Sequence, residues 1–458
     1  MLLCAAVLLG AVSLWWFKWD GGLPGADLEG DSGVVGRNAA WVIRVRAPGR
    51  AGLESVLVRL ISGDRTFPIA DRTFPARGWG GSGVDEVRIP VEIDIAALGV
   101  PEGVATLEVL AETHGWRMFA RDKPVAGRFP QTVDSTPPRA QVLSDQHNTR
   151  IGGSAAAVFR VGDDATAAEV RVATYRFPVL RDFFQDGSLA LGIFAIPENL
   201  TPDVRPVLWA TDAAGNEVEL QIPCTIRPRE FRERALEIDD DFLRRKIPQI
   251  YATRGLAPPS DLLEGFLVVN RDIRTASEEI LRKRTATSQP RPLWTGAFLR
   301  MARAQTMSEF GDRRAYSYGG RIVDRQTHLG VDLASLQGAE VEASQDGIVV
   351  FAGDLGIYGQ TVVLDHGLHV FTLYGHLSSV LVKEGERVAA GSTLGLSGQT
   401  GLAGGDHLHF SIMVHGHHVD PVEWWDPKWV RERIAAKFDL FPRADDPPTE
   451  DSDDQKVP

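Results

Sequence analysis

Only two cysteines, Cys4 and Cys224, occur in 458 residues. That excludes a disulfide framework, so apolar cores must hold the chain together. Basic residues are also short, 49 Lys and Arg against 61 Asp and Glu, for a formal net charge of -12. A nucleic-acid partner needs a basic surface to neutralise phosphates, so none is expected. Gly-rich phosphate loops of either common type are missing, which leaves nucleotide chemistry unsupported. No His-Glu-x-x-His segment exists, so no helix-borne glutamate base of that kind is available. The chain is too long for one ordinary core, and two to four domains are expected.

One apolar run stands out. Leu2 to Phe17 is broken only by Gly10 and Ser13 and ends in Trp15, Trp16 and Trp19 around Lys18. Such a flank suits a membrane–water interface. Residues 1–19 are therefore expected to be an uncleaved signal anchor. The competing reading is a cleaved signal peptide. It wants a charged start, which is absent, and a small-residue cleavage site, for which Ala11-Val12-Ser13 is passable. Both readings export the rest of the chain. The expected location is the cell envelope, anchored in the inner membrane with the C-terminal part periplasmic.

Residues 36–133 alternate with period two. Trp41, Ile43 and Val45 form one such face, Val56, Val58 and Leu60 a second, and Ala105, Leu107, Val109 and Ala111 a third. Between them lie Gly/Pro-rich turns, the pattern of a β-sandwich. A stiff Asp134-Ser135-Thr136-Pro137-Pro138 link leads to a second strand-rich block, 137–228, which contains the turn Asp212-Ala213-Ala214-Gly215-Asn216. In its last part, Val218, Leu220, Ile222, Cys224 and Ile226 share a face, so Cys224 is expected to be a buried small hydrophobe. The turn and the Pro-Pro boundary resemble bacterial immunoglobulin-like modules, with the first block a diverged copy. Residues 229–294 turn helical and charged, and are expected to be a short linker. Ser260 is the candidate cap for a helix whose Leu263, Phe266, Leu267 and Ile273 fall near one face; Asn270 interrupts it as a buried, hydrogen-bonded amide. Residues 443–458 are acidic, almost without apolar content, and expected to be disordered.

Chemistry concentrates in residues 295–428. Nine of the 11 histidines lie between His328 and His418. His328-Leu329-Gly330-Val331-Asp332 joins an imidazole and a carboxylate, both good zinc ligands, across a glycine expected to let the backbone turn. His407-Leu408-His409-Phe410 puts two imidazoles on one side of a strand and two apolar residues on the other. Tyr374-Gly375-His376-Leu377 follows the strand-like 370–373. The stretch 395–401, Gly395 to Gly401, is expected to be a loop that swings the His407 strand into place. His366, His369, His415, His417 and His418 are read as surface or structural groups rather than as a second metal site. Asp365 is read as a surface carboxylate, and Tyr374 as either a groove or a core residue.

Together and in this order, the segments resemble the catalytic domain of the LytM/lysostaphin-type peptidoglycan endopeptidases. The resemblance covers roughly 130 residues, under a third of the chain, and implies a C-terminal antiparallel-β metallopeptidase domain. With the blocks read above, the expected fold is mainly β: two immunoglobulin-like β-sandwich modules, the short helical linker, and that domain. The resemblance implies one Zn2+ per chain, with His328, Asp332 and His409 as ligands and His376 and His407 as catalytic groups beside a bound water. It also implies peptidoglycan as substrate. The membrane and an envelope protein are the further expected partners. The alternative is an envelope-anchored regulatory protein that keeps the peptidase fold as a scaffold.

Overall fold

The computed structural model describes residues 22–30, 32–48, 52–76, 83–114, 123–145 and 147–447. The expected anchor, 1–19, and residues 448–458 of the acidic tail lie outside these. Among the described residues, no helix is long and apolar enough to cross a membrane. The chain divides into two compact units. One holds the residues up to Pro138 with Asp164–Ala167 and Ala210–Val218. The other holds Arg139–Asp163, Ala168–Trp209 and everything from Glu219 on.

In the first unit the predicted alternation builds two sheets. Asn38–Arg46 lies antiparallel between Gly25–Glu29 and Glu86–Asp94. A five-stranded sheet runs in the order Val34–Val35, Val125–Val133, Gly103–Thr113, Leu53–Ser62, Arg65–Thr73. Trp41, Ile43, Val45 and Val91 from the first sheet share a core with Val56, Val58, Leu60, Leu107 and Val109 from the second. The inward faces are those the sequence marks. Pairing begins at Gly25, earlier than the boundary at residue 36 drawn from the pattern.

In the second unit, Ser154–Val161 pairs antiparallel with Leu189–Ala195 and with Ala140–Val142. His147–Arg150 runs parallel to Cys224–Arg227. Pro223, which has no N–H to give a ladder, lies between strands Glu217–Gln221 and Cys224–Arg227. Cys224 is half-buried rather than a full core residue, and burial pushes its thiol up to about 12.

Residues 229–294 hold a strand as well as the expected helices. Strand Glu233–Glu237 runs parallel to Arg313–Tyr318, which forms a hairpin with Arg321–Thr327. Helix Asp240–Thr253 follows, capped by Asp239. The next helix, Leu262–Val268, is capped by Asp261 rather than Ser260: the Asp261 carboxylate accepts from the N–H groups of Leu263 and Glu264. A π-turn, Val269–Ile273, leads into helix Arg274–Arg284. Ile247, Ile250, Phe266, Val269, Ile273 and Leu281 bury into one core with Tyr316, Leu355, Ile357, Tyr358, Val363, Phe371, Leu373 and Met413. The stripe therefore closes into this core through Phe266 and Ile273, while Leu263 and Leu267 stay half-exposed. Asn270 is buried as expected; its amide donates to Asp324 Oδ2 at 2.8 Å and accepts from Arg274 at 2.6 Å.

The largest sheet has eight strands. Seven follow the order Gln305–Ser308, Val331–Ala334, Leu408–Val414, Val370–Leu377, Gln360–Asp365, Gly347–Asp354, Arg387–Val388, and His417–Val419 pairs with Leu408–Val414. All its pairings are antiparallel. Three consecutive strands place Asp332 opposite His409 and His409 opposite Gly375. Two sequence segments 77 residues apart thus meet by register alone. At the other end, Arg443 bridges to Phe184 and the Ala444 N–H donates to Phe183 O. Residues assigned to the acidic tail by composition therefore take part in the fold.

Candidate metal centre

Alternation decides which side chains face the site. On the strand around Leu408–Val414, His407 and His409 turn one way, while Leu408 and Phe410 are 2% and 3% exposed on the other. Gly330 has a different purpose from the turn expected of it. A Cβ there would lie 2.6 Å from the His409 ring and 2.7 Å from Phe410 O, so glycine leaves room for that ring. The glycines of 395–401 are likewise close-approach residues rather than a swinging loop. Gly395 and Gly398 lie against the backbone of Ser378 and Ser379, and Gly401 against Gly359. Gly398 O accepts from the His407 N–H at 3.0 Å, which fixes that strand's entry.

His328 Nε2, Asp332 Oδ1 and His409 Nδ1 converge. His328 Nε2 is 2.9 Å from Asp332 Oδ1 and 3.0 Å from His409 Nδ1, and His409 Nδ1 is 3.0 Å from Asp332 Oδ1. Among the described residues, this is the one grouping of three or more His, Cys, Asp or Glu that fits a metal ion, with ligand atoms within 4.8 Å of one another. The donor set suits zinc: two imidazole nitrogens and one carboxylate oxygen, all buried. The protonation state suits it too. Burial lowers the pKa of His328 and takes His409 down to about 4, leaving both neutral. Burial alone would raise Asp332, but the imidazoles of His328, His407 and His409 hold it well below the usual carboxylate range. Metal binding requires neutral imidazoles and an ionised carboxylate. Glu309 O, 2.9 Å from His328 Nδ1, accepts that N–H and leaves Nε2 to face the cluster.

His376 and His407 stand beside this cluster, their ring centroids 4.8 Å apart. His376 Nδ1–H donates to Thr400 O at 2.9 Å and His407 Nδ1–H to Gly405 O at 2.9 Å, so in each ring Nε2 is the nitrogen left to the site. His407 Nε2 is 3.5 Å from Asp332 Oδ1. Burial, then the neighbouring His407 and His409, keeps His376 well below the ordinary imidazole range. Burial also opposes charge on His407, but Asp332 outweighs it and raises that pKa. His376 is held at φ 64°, in the left-handed region. Such a conformation persists in a non-glycine residue only where its surroundings over-determine it.

The other histidines are structural. His366 is fully buried between Asp346 O and Thr372 Oγ1, and His418 between Ser411 Oγ and Glu278. His415 stacks on His369 at 4.2 Å, and His417 meets the edges of Tyr175 and Phe177. Asp365 is buried rather than on the surface; it accepts from Ser288 Oγ and from the Gln289 and Gly367 N–H groups. Tyr374 is a core residue, bonded to Ser344 and Thr372.

Sequence reasoning missed Arg314 and Lys246. Arg314 Nη2 donates to Asp332 Oδ2 at 2.7 Å. Lys246, on helix Asp240–Thr253, donates to Gln399 O, next to the Thr400 carbonyl that holds His376. A polar residue among helix-spaced apolar ones was the available signal for Lys246. For Arg314 there was none.

The sequence of residues 326–421 matches the Peptidase family M23. A stretch of 95 residues is 43% identical to the DD-carboxypeptidase/endopeptidase Mpg of Neisseria meningitidis serogroup B, covering 21% of this chain and 22% of that protein. A stretch of 116 residues is 39% identical to the peptidoglycan DD-endopeptidase ShyA of Vibrio cholerae, covering 25% and 26%. The murein hydrolase activator EnvC of Escherichia coli is 29% identical over 189 residues, covering 41% of this chain and 45% of that one. The similarity thus spans about a quarter to a half of these relatives. The C-terminal part of the chain carries a Peptidase family M23 domain.

Proposed function

We propose that this protein is a zinc-dependent endopeptidase that hydrolyses peptide cross-links of bacterial peptidoglycan, held at the inner membrane by residues 1–19 with the peptidase domain in the periplasm. The observation that carries the reading is the convergence of His328, Asp332 and His409, with two further imidazoles facing them. The names of the relatives support the substrate class. His328 Nε2, Asp332 Oδ1 and His409 Nδ1 would hold the ion. Zinc bound there supplies Lewis acidity, polarising the scissile carbonyl and making water a better nucleophile near neutral pH. The chain's own residues do the rest. His376 and His407 offer their Nε2 atoms, one to take the proton from the attacking water and the other to stabilise the oxyanion that forms. Thr400 O and Gly405 O fix their tautomers.

A second reading is favoured by the similarity to an activator of murein hydrolases: a regulatory scaffold that docks an envelope protein. Two measurements separate them. Purified full-length chain should hold about one zinc. Added to purified cell wall, it should release fragments whose masses identify the broken cross-link. Zinc-loaded protein that releases none, but stimulates a separate murein hydrolase, would establish the scaffold instead.

A further inference from the structure

Asp332 has two oxygens, and the structure uses them differently. Oδ1 faces His328 Nε2 and His409 Nδ1 at 2.9 and 3.0 Å. Oδ2 accepts from Arg314 Nη2 at 2.7 Å. Arg314 lies outside the residues matched to the M23 family, on strand Arg313–Tyr318. That strand is gripped on both sides. Arg314 sits opposite Arg234 in the parallel pairing and opposite Gln326 in the hairpin. Its neighbour Arg313 faces elsewhere, to Thr327 Oγ1 and Glu198 O.

Stability does not account for this guanidinium. Arg314 and Asp332 side chains are 19% and 10% exposed, and Arg314 Nε is buried without a hydrogen-bond partner. Burying a cation with one N–H unsatisfied is costly, and replacing a buried ion pair by apolar groups is often neutral or stabilising. What the contact does accomplish is geometric. A free carboxylate can meet a metal through one oxygen or two. With Oδ2 taken, only Oδ1 remains, aimed at the two imidazole nitrogens.

We infer that Arg314 is a positioning residue for the metal centre: it restricts Asp332 to a single ligating oxygen and so keeps an open place for water and substrate. This rests on the zinc reading above. Partners that orient a ligand from behind typically change metal affinity 10- to 100-fold when removed. A catalytic zinc keeps three protein ligands and one open position, and a carboxylate free to chelate would fill it.

The test uses the full chain in detergent, stripped of metal, as wild type, Arg314→Met and Arg314→Lys. Zinc affinity is measured by competition with a chromophoric chelator. The visible absorption of Co2+-loaded protein reports coordination number, and thermal melting of the metal-free protein reports the fold. Arg314→Met should melt no lower than wild type, bind zinc roughly 10- to 100-fold more weakly, and give the weaker cobalt bands of a higher coordination number. Arg314→Lys, which can still donate one N–H to Oδ2, should fall between and recover the wild-type spectrum in part. Should Arg314→Met fail to fold, Arg314→Lys and Arg314→Gln decide. Zinc affinity within twofold of wild type or tighter, with an unchanged cobalt spectrum, overturns the inference and leaves the zinc reading standing. Wild-type protein that binds no zinc overturns both.

Discussion

Replacing Phe266 with alanine tests whether the helical segment belongs to the peptidase. Phe266 is fully buried, and its ring meets Tyr316 with centroids 5.5 Å apart. Tyr316 shares its strand with Arg314. Removing a fully buried phenylalanine costs about 3–5 kcal/mol. Part of that is the aromatic pair, about 0.5–1.5 kcal/mol. At about 1.4 kcal/mol per tenfold, a loss near 4 kcal/mol raises local opening about a thousandfold. Because a chain of several units does not unfold in one step, the measurement should be local: amide hydrogen exchange followed by mass spectrometry. Peptides covering the hairpin 313–327 and the sheet around 355–373 should lose protection together with 240–284. Leu267→Ala, at a half-exposed position on the same helix, should change exchange by far less. If Phe266→Ala loosens only 240–284 and leaves 313–327 protected, the segment is a mere appendage and the shared core carries no coupling.

Further outcomes are expected. His328→Ala, Asp332→Ala and His409→Ala should each lose zinc and wall hydrolysis. His376→Ala and His407→Ala should keep most of the metal and lose hydrolysis; metal analysis showing His376→Ala emptied as fully as His409→Ala refutes the division of roles. Gly330→Ala, which drives a Cβ to 2.6 Å from the His409 ring, should weaken zinc binding while shifting the melting temperature little, and wild-type zinc affinity would show that the ring has room. Glu423 lies 3.2 Å from Arg150 Nε and its carboxylate accepts from the Ser154 N–H. Burial, with the charge of Asp420 adding and Arg150 opposing, pushes it up to about 7 from 4.5. A folded-state value above the unfolded one means the folded chain binds the extra proton. Its contribution is therefore full below about pH 4.5 and lost as pH rises through about 7, on the order of 3 kcal/mol. Urea midpoints of Glu423→Gln measured across that window should be flatter with pH than those of wild type, and parallel curves would refute the assignment. Finally, the chain should sediment with membranes and carry an intact N-terminus on sequencing; cleavage near Ser13 would replace the anchor with a signal peptide.

The candidate site was legible because its residues come in short segments. His407 and His409 are two apart, and alternation gives such a pair a shared face. His328 precedes the strand Val331–Ala334 that carries Asp332, so alternation does not join that pair, and its grouping was expected only from the family resemblance. The same alternation marked the inward faces around Ile43, Val58 and Leu107. What alternation cannot reach is a partner on another strand. Arg314 meets Asp332 only because a hairpin turns between them, and nothing in the spacing of 18 residues encodes that contact. Phe266 was visible as part of an apolar stripe, but not the surface it would meet. Gly330 was noticed for the wrong cause, since glycine in a sequence signals backbone freedom as readily as room for a neighbour's ring. Asp365 looked solvated because its hydrogen-bond partners, Ser288 and Gln289, precede it by more than 70 residues.

Asp332 and His409 sit directly opposite one another on neighbouring antiparallel strands, and Gly375 is opposite His409 on the next. Side chains alternate with period two, so a slip of one residue in either pairing would send His409 or Asp332 to the opposite face. A sheet slipped by one residue in the first pairing cannot present Asp332 and His409 to the site together. A metal ion bound there, as proposed above, would act as a proofreader in folding: it would favour chains whose central strands have closed in the native alignment and withdraw them from exchange with the mis-stacked forms. Refolding with and without zinc should accordingly differ most in the yield of correctly aligned protein.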